Sequence, residues 1–194
     1  MDWNKKLLFS AQKGDYQSAL ICFENAASTR FADQHGNTIL HWAATHKSRR
    51  LVDLVVDYGG ALEARNVLGV TPLHLACQHN CQETVVALLE HGADLQAKDR
   101  FGKTPFDHAV RARGVATVIA IAMSVNGSLT APIQGKTLLE HFSGCALSRL
   151  EIKRAMEGLS RSYAKRQGRV SYAPELPDSL LKPVVVPPKD SSGV

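Results

Sequence analysis

Two histidines and two cysteines lie close together near the middle of the chain, and both residue types are common zinc ligands. They are His74, Cys77, His79 and Cys81. A structural zinc site needs four ligands that converge on one point, whereas these four would follow one helix and its end. Free cysteine is also among the most frequently buried residue types. The pattern therefore predicts packed side chains and neither a metal nor another cofactor.

Two short segments are similar to the end of a phosphate-binding loop, in which a glycine is followed by lysine and threonine. They are Gly102-Lys-Thr104 and Gly135-Lys-Thr137. The complete motif needs another glycine five residues before this one, where the chain has Ala97 and Thr130. No Ser/His/Asp, Cys/His or paired-carboxylate arrangement stands out elsewhere in the sequence. We therefore expect neither enzyme activity nor a small-molecule substrate.

Both glycines belong to a longer pattern that recurs every 33 residues and also includes Gly36 and Gly69. In the first three copies a threonine follows the glycine by two residues and an alanine follows it by seven. Threonine is a favourable residue at the start of a helix. A fixed period of this length is typical of stacked supersecondary units. The sequence thus predicts a solenoid, an architecture that recognises partners along an extended surface.

The second copy of the pattern carries a family resemblance. It reads Thr71-Pro-Leu-His-Leu-Ala-Cys-Gln-His-Asn80 and ends with Leu89-Glu-His-Gly-Ala-Asp94. This resembles the ankyrin repeat, and the resemblance covers residues 31–122. It implies an all-α ankyrin-repeat solenoid, built from helix-turn-helix units with short β-turn fingers. In the third copy Asp107 replaces the usual histidine, and Gly114 stands one place late.

The period divides the chain into four regions. Residues 1–30 are predicted to be an N-terminal capping repeat, and residues 31–125 are three ankyrin repeats. Residues 126–168 read as a degenerate repeat that forms a C-terminal cap. Residues 169–194 hold most of the prolines and are expected to be an extended, mobile tail.

The resemblance also implies where a partner protein binds, because ankyrin repeats bind proteins through the finger tips and the concave face of the first helices. The matching positions are Gln34, His35, Asn37, Thr45, His46, Val67, Leu68, Val70, Gln78, His79, Arg100, Phe101, Lys103 and Arg111. Val67, Leu68 and Phe101 are unusual at turn tips, since clustered exposed apolar side chains usually make contacts. The alternative is that each tip packs against its neighbour. We expect a non-catalytic scaffold, inhibitor or adaptor.

The C-terminal part contains a resemblance to a second family. Leu147-Ser-Arg-Leu-Glu-Ile-Lys153 and Glu175-Leu-Pro-Asp-Ser-Leu-Leu-Lys182 are similar to the suppressor-of-cytokine-signalling box. Ser148 stands where that box normally has a cysteine. The resemblance implies an alternative function, in which the chain recruits substrates to a ubiquitin ligase.

A basic cluster overlaps this region. Lys153-Arg154 and Lys165-Arg-Gln-Gly-Arg169 are spaced like a bipartite nuclear-import signal. The capping-box pattern of Ser148 and Glu151 favours a solvated helix face instead. Both interpretations stay open.

Charge and hydropathy exclude several classes of partner. The net charge is +1 over residues 1–122 and +4 over residues 123–194, so the repeats are poorly suited to nucleic acid. The longest apolar run, from Val115 to Met123, is too short to cross a bilayer, and no signal peptide is visible at the start. The cysteine spacing is not that of a secreted framework. We expect no membrane partner and a cytoplasmic protein that also enters the nucleus if the import signal is used.

Overall fold

The computed structural model of the chain describes residues 2–126. In this part all regular structure is helical, apart from one isolated antiparallel bridge between Ala32 and Thr38. The helices are α1 Trp3–Lys13, α2 Tyr16–Glu24, α3 Ile39–Ala44, α4 Arg49–Asp57, α5 Pro72–Gln78, α6 Gln82–Glu90, α7 Pro105–Arg111 and α8 Val115–Asn126. The predicted all-α solenoid is confirmed.

The helices form two layers, and each helix contacts its counterpart in the next unit. Helices α1, α3, α5 and α7 contact one another in that order and form the first layer, whereas α2, α4, α6 and α8 form the second. Within a unit the first helix also packs on the second. A five-residue turn, here called a finger, precedes three of the first helices. Finger one is Asp33–Asn37, finger two is Asn66–Val70 and finger three is Asp99–Lys103.

The three threonines predicted to start helices are the N-caps of the helices that follow the fingers. Thr38, Thr71 and Thr104 have extended backbones and precede α3, α5 and α7. Pro72 and Pro105 occupy the first helical position, where the missing N–H costs no hydrogen bond. Each finger therefore runs directly into a helix whose starting residue is fixed.

Small residues bring the layers close together. Ala43, Ala76 and Ala109 are buried without measurable exposure, at the same position of successive first helices. The run from Thr117 to Ala122 in α8 is buried at every residue, so more than one face of this helix is covered. Helix α8 is thus an interior helix of the hydrophobic core.

The late glycine of the third repeat has a steric cause. Before α8 it is Arg113, with φ of +54°, that has the left-handed backbone conformation, and Gly114 does not have it. A Cβ added to Gly114 would lie 1.7 Å from Oδ1 of Asn80. Asn80 uses the free space to donate its Nδ2 hydrogen to the carbonyl of Ala112 at 3.2 Å. The missing side chain of Gly114 therefore makes room for Asn80 between two repeats and does not serve the backbone conformation.

Several predictions fall on other parts of the chain. The C-terminal cap (beyond Asn126), the proline-rich tail, the import signal and the box between residues 147 and 182 lie outside the described residues. The ubiquitin-ligase alternative, which depends on that box, stays a prediction.

Replacing Ala76 by leucine should lower the free energy of unfolding by about 1–3 kcal/mol, because a larger side chain must be forced between two helices. Ala61→Leu is the matched control, since Ala61 is exposed and its replacement should change stability by less than about 0.5 kcal/mol. Urea denaturation followed by circular dichroism measures both. Equal effects of the two substitutions would contradict the close helix approach.

Replacing Gly114 by alanine should cost about 0.5–1.5 kcal/mol, because the methyl group displaces the Asn80 side chain from the Ala112 carbonyl. In an Asn80→Ala background the same substitution should cost much less, since the clashing atoms are gone. A double-mutant cycle from chemical denaturation gives the coupling. Additive effects would show that Gly114 serves some other purpose.

Candidate functional site

Each finger is closed by the side chain of its first residue. In finger three, Oδ1 of Asp99 accepts hydrogen bonds from the backbone N–H of Phe101 at 2.8 Å and of Lys103 at 2.9 Å. Its other oxygen, Oδ2, accepts from Nε2 of His108 in α7 at 2.9 Å. Burial by itself raises the pKa of Asp99, but the bonds from His108, Lys103 and Phe101 outweigh it and leave the pKa below its usual value. The side chain that closes the turn is therefore ionised at neutral pH.

Fingers one and two repeat this arrangement with small changes. Oδ1 of Asp33 accepts from the N–H groups of His35 and Asn37, and Oδ2 accepts from the indole Nε1 of Trp42 at 3.1 Å. In finger two the neutral Asn66 accepts the same two backbone bonds. Its amide also donates to Oδ1 of Asn37 at 2.9 Å. Asn66 therefore closes its own finger and links it to the preceding one.

Neighbouring fingers are bonded through their backbones. The N–H of Val67 donates to the carbonyl of His35, and the N–H of Arg100 donates to the carbonyl of Leu68, both at 3.0 Å. Gly69 has φ of +73°, and a Cβ there would approach the backbone nitrogen of Arg100 to 3.1 Å. Glycine is needed at this point for the conformation and for the close approach of the next finger. The tips therefore form one continuous edge.

Two buried histidines fix the fingers to the helices. Nδ1 of His74 accepts from the backbone N–H of Thr71 at 3.2 Å, so the ring hydrogen is on Nε2. That Nε2 donates to the carbonyl of Lys103, in the finger of the next repeat, at 3.1 Å. His41 does the same between Thr38 and Val70. One neutral imidazole thus caps its own helix and holds the base of the following finger.

The imidazole link is not present at every repeat. Leu8 stands at the equivalent position of the N-terminal unit and has no group that could hold finger one. In the third repeat Asp107 accepts from the N–H of Thr104 at 2.9 Å, as a histidine would. A carboxylate lacks the second ring N–H, so the replacement keeps the helix cap and removes the donor to a following finger.

Of the partner-binding residues predicted from the sequence, the structure leaves ten exposed. They are Gln34, His35, Val67, Leu68, Gln78, His79, Arg100, Phe101, Lys103 and Arg111. The three apolar tips are open to solvent: 47% of the surface of Val67, 48% of Leu68 and 73% of Phe101 is accessible. A large part of each tip is therefore accessible to a partner, and Phe101 is the most accessible of the three.

The other four predicted binding residues are less exposed. The burial of Val70 corrects the prediction for that residue, whereas Asn37, Thr45 and His46 are half-buried, and for them binding stays a prediction. Val70 is buried, because its side chain points into the core where the finger joins α5. Asn37 bonds to Asp33 and Asn66, and the hydroxyl of Thr45 donates to the carbonyl of Trp42. The ring of His46 bonds through Nε2 to the carbonyl of Gln12 at 3.0 Å and so ties α1 to the first repeat.

Several aromatic rings in the first two units have a cation or a second ring as a partner. Lys6, Lys13 and Arg50 place their cations 4.5–4.9 Å from the ring centroids of Trp3, Phe9 and Tyr16, respectively. Tyr58 stacks on Phe23 with centroids 4.5 Å apart.

The ring of Phe101 has no such cation or ring contact among the described residues, although it is the most exposed large apolar side chain there. In the described part of the chain, the aromatic side chain with the largest exposed fraction therefore lies at a finger tip.

An open cleft of about 380 Å³ lies on the first-helix layer, beside finger three. Among the described residues it is lined by Gln78, His108, Arg111 and Ala112. Two of these, Gln78 and Arg111, were predicted to bind a partner, and they occupy equivalent positions of α5 and α7. The structure therefore brings the helix residues of repeats two and three together at one concavity.

Sequence reasoning missed two basic residues next to the fingers. Arg65 and Lys98 are one period apart and immediately precede Asn66 and Asp99. The guanidinium of Arg65 donates to the carbonyl of Lys98 at 2.6 Å and of Gly69 at 3.3 Å. Their equal place in the 33-residue pattern could have identified both as part of the finger surface.

The four residues considered as metal ligands do not converge. The ring nitrogens of His74 are used as described, Cys77 is completely buried, and Sγ of Cys81 contacts the carbonyl of Thr45 at 3.1 Å. Burial raises the pKa of the Cys77 thiol. Within the described residues, no group of three or more His, Cys, Asp or Glu side chains could hold a metal ion. None of the described helices has the length and apolarity needed to cross a membrane.

The chain is similar to a family of repeats and to part of a mouse protein. A family model described as ankyrin repeats (3 copies) matches residues 7–99 and 50–131, which together make up well over half of the chain. The mouse protein ankyrin repeat and MYND domain-containing protein 1 is 36% identical over 69 residues. The match covers 35% of this chain but only 8% of the mouse protein. The chain is therefore similar to a small part of that relative.

The buried histidines make stability depend on pH. Burial lowers the pKa of His41 and of His74 below the 6.5 of a free imidazole, and the bonds to Val70 and Lys103 only partly offset it. Below about pH 6.5 these two histidines bind protons in the unfolded chain, whereas in the folded chain they stay neutral until their lowered pKa is reached. This contribution to stability is therefore fully present above that pH. We expect the free energy of unfolding to fall by up to about 1.4 kcal/mol per pH unit and per ring as the pH drops toward the folded pKa.

A His74→Asn variant should be less stable at neutral pH and should show a shallower loss of stability on acidification, measured by urea denaturation between about pH 7.5 and 5. His79→Asn removes an exposed imidazole and is the matched control. An unchanged slope in the His74 variant would contradict the neutral bridge.

Proposed function

Because this chain belongs to the ankyrin-repeat family, we propose that it is a non-catalytic protein-binding module, acting as a scaffold, inhibitor or adaptor. Its main contact surface is the edge formed by fingers two and three, with Val67, Leu68 and Phe101 as apolar anchors. Ankyrin repeats as a family mediate protein–protein interactions.

The observation that supports this proposal most strongly is the exposure of Phe101 on a rigid turn. The backbone of finger three is held by Asp99, by His74 and by the bond from Arg100 to Leu68. None of these bonds involves the Phe101 side chain, so the fold does not require an aromatic residue there. A rigid turn that presents an apolar group loses little conformational entropy on binding, which favours affinity.

The proposed surface extends from the tips onto the first helices. Gln78 and Arg111 line the cleft beside finger three, and His79 is exposed at the end of α5. A partner that covers the tips of fingers two and three can reach this cleft with a neighbouring segment. Finger one, with the polar residues Gln34 and His35, lies at the periphery of the surface and not at its centre.

Replacing Leu68 and Phe101 together by serine should abolish partner binding and leave the melting temperature nearly unchanged. Both side chains are exposed and contribute little to the core, whereas central apolar anchors typically contribute 2 or more kcal/mol, roughly, to binding. The measurements are thermal denaturation by circular dichroism and quantitative mass spectrometry of proteins that co-purify with the full chain.

The matched control is Phe9→Ser with Ile21→Ser, which removes one exposed aromatic and one exposed aliphatic side chain from the N-terminal unit. This control should retain the partners that the finger variant loses. The proposal would be wrong if both double variants kept the same set of partners, or if the finger variant unfolded.

A further inference from the structure

We propose that the partner presents to fingers two and three an acidic segment with apolar side chains. This inference rests on the proposed function and adds the chemistry of the partner. Four basic residues surround the three apolar tips, and they are Arg65, Lys98, Arg100 and Lys103. All four are exposed. The surface is therefore an apolar centre with a positively charged rim.

The charges of this rim are not neutralised within the described residues. None of the four basic side chains forms an ion pair with a carboxylate there. Arg65 is held by two backbone carbonyls, at the junction between fingers two and three, and carbonyls bring no formal charge. It uses one of its nitrogens for these contacts, so the rest of the guanidinium can bind a carboxylate.

The acidic side chain of finger three is used internally, and other carboxylates form ion pairs on the second-layer helices. Asp99 is 7% exposed and binds backbone N–H groups and His108, so it offers little surface charge at the tip. On the second-layer helices Asp53 and Glu90 pair with Arg49, and Asp53 also pairs with His91. Residues 1–122 have a net charge of only +1. The positive charge of this surface therefore results from where the basic residues are placed and not from an excess of them in the repeats.

An acidic peptide fits this surface better than a nucleic acid does. A protein groove that binds nucleic acid needs many cations along the path of the phosphate backbone, and aromatic rings on which the bases stack. Here one ring, Phe101, stands beside the aliphatic Val67 and Leu68, which cannot stack on bases. Apolar anchors surrounded by a charged rim are the usual composition of a protein interface.

The experiment is selection from a phage-displayed library of random linear peptides on the full chain, after depletion on the Leu68→Ser/Phe101→Ser variant. Selected sequences should be enriched in Asp or Glu together with large apolar residues. Synthetic peptides are then measured by fluorescence anisotropy. Raising NaCl from about 50 to about 500 mM should weaken them by roughly tenfold, because the rim charges are solvent-exposed and screened.

The Lys98→Glu/Arg100→Glu/Lys103→Glu variant should bind the selected peptides at least about tenfold more weakly than the unchanged chain. The control is Lys5→Glu/Arg30→Glu/Lys47→Glu, which makes the same change of net charge at exposed positions away from fingers two and three, and it should bind within about twofold of the unchanged chain.

Apolar peptides without acidic residues that bind equally well to the charge-reversed variant would overturn this inference and leave the proposed function intact. A library that yields no peptide dependent on Leu68 and Phe101 would overturn both. Tighter binding of a fluorescein-labelled single-stranded DNA than of any selected peptide would replace the acidic peptide by a nucleic acid.

Discussion

The neutral imidazole that joins a helix start to the next finger is the interaction on which the placement of fingers two and three depends. His41 and His74 each accept from a threonine N–H and donate to a carbonyl in the following repeat. Both ring nitrogens are used, so the ring satisfies two buried backbone groups that would otherwise lack partners. A protonated ring could not accept the threonine N–H, and a charged group at this depth would be unfavourable. The correct protonation state is therefore as necessary as the correct residue.

The repeat pattern revealed the fold because its signals are local. A threonine cap, a following proline and a small alanine recur at fixed spacing, and each acts within one turn of helix. The binding surface was harder to predict, since side-chain direction is set by the finger backbone. Val67 and Val70 are the same residue type in one turn, yet Val67 is exposed and Val70 is buried. The hydrogen bond from His46 to Gln12 joins residues 34 positions apart, so no local sequence pattern predicts it.

The fingers separate the requirements of folding from those of recognition. Backbone groups and the side chains of Asp33, Asn66 and Asp99 provide the bonds that shape each turn. The side chains of the second and third residues form none of these bonds, and both positions differ in all three fingers. Finger one has Gln34 and His35 there, whereas finger three has Arg100 and Phe101. The surface chemistry of one repeat can therefore change without a change in the scaffold.

The imidazole link also limits how far a repeat can be treated as an interchangeable cassette. The tip of finger three belongs to the third repeat by sequence, but its base is anchored by His74 of the second. If one repeat is exchanged for another, the finger tip moves with it, but the histidine that anchors the finger stays in the neighbouring repeat. A graft with finger three alone would place Phe101 on a turn whose orientation depends on the recipient. A unit that keeps finger three on its anchors therefore starts at Asn66 and extends through α7, across the boundary between two repeats.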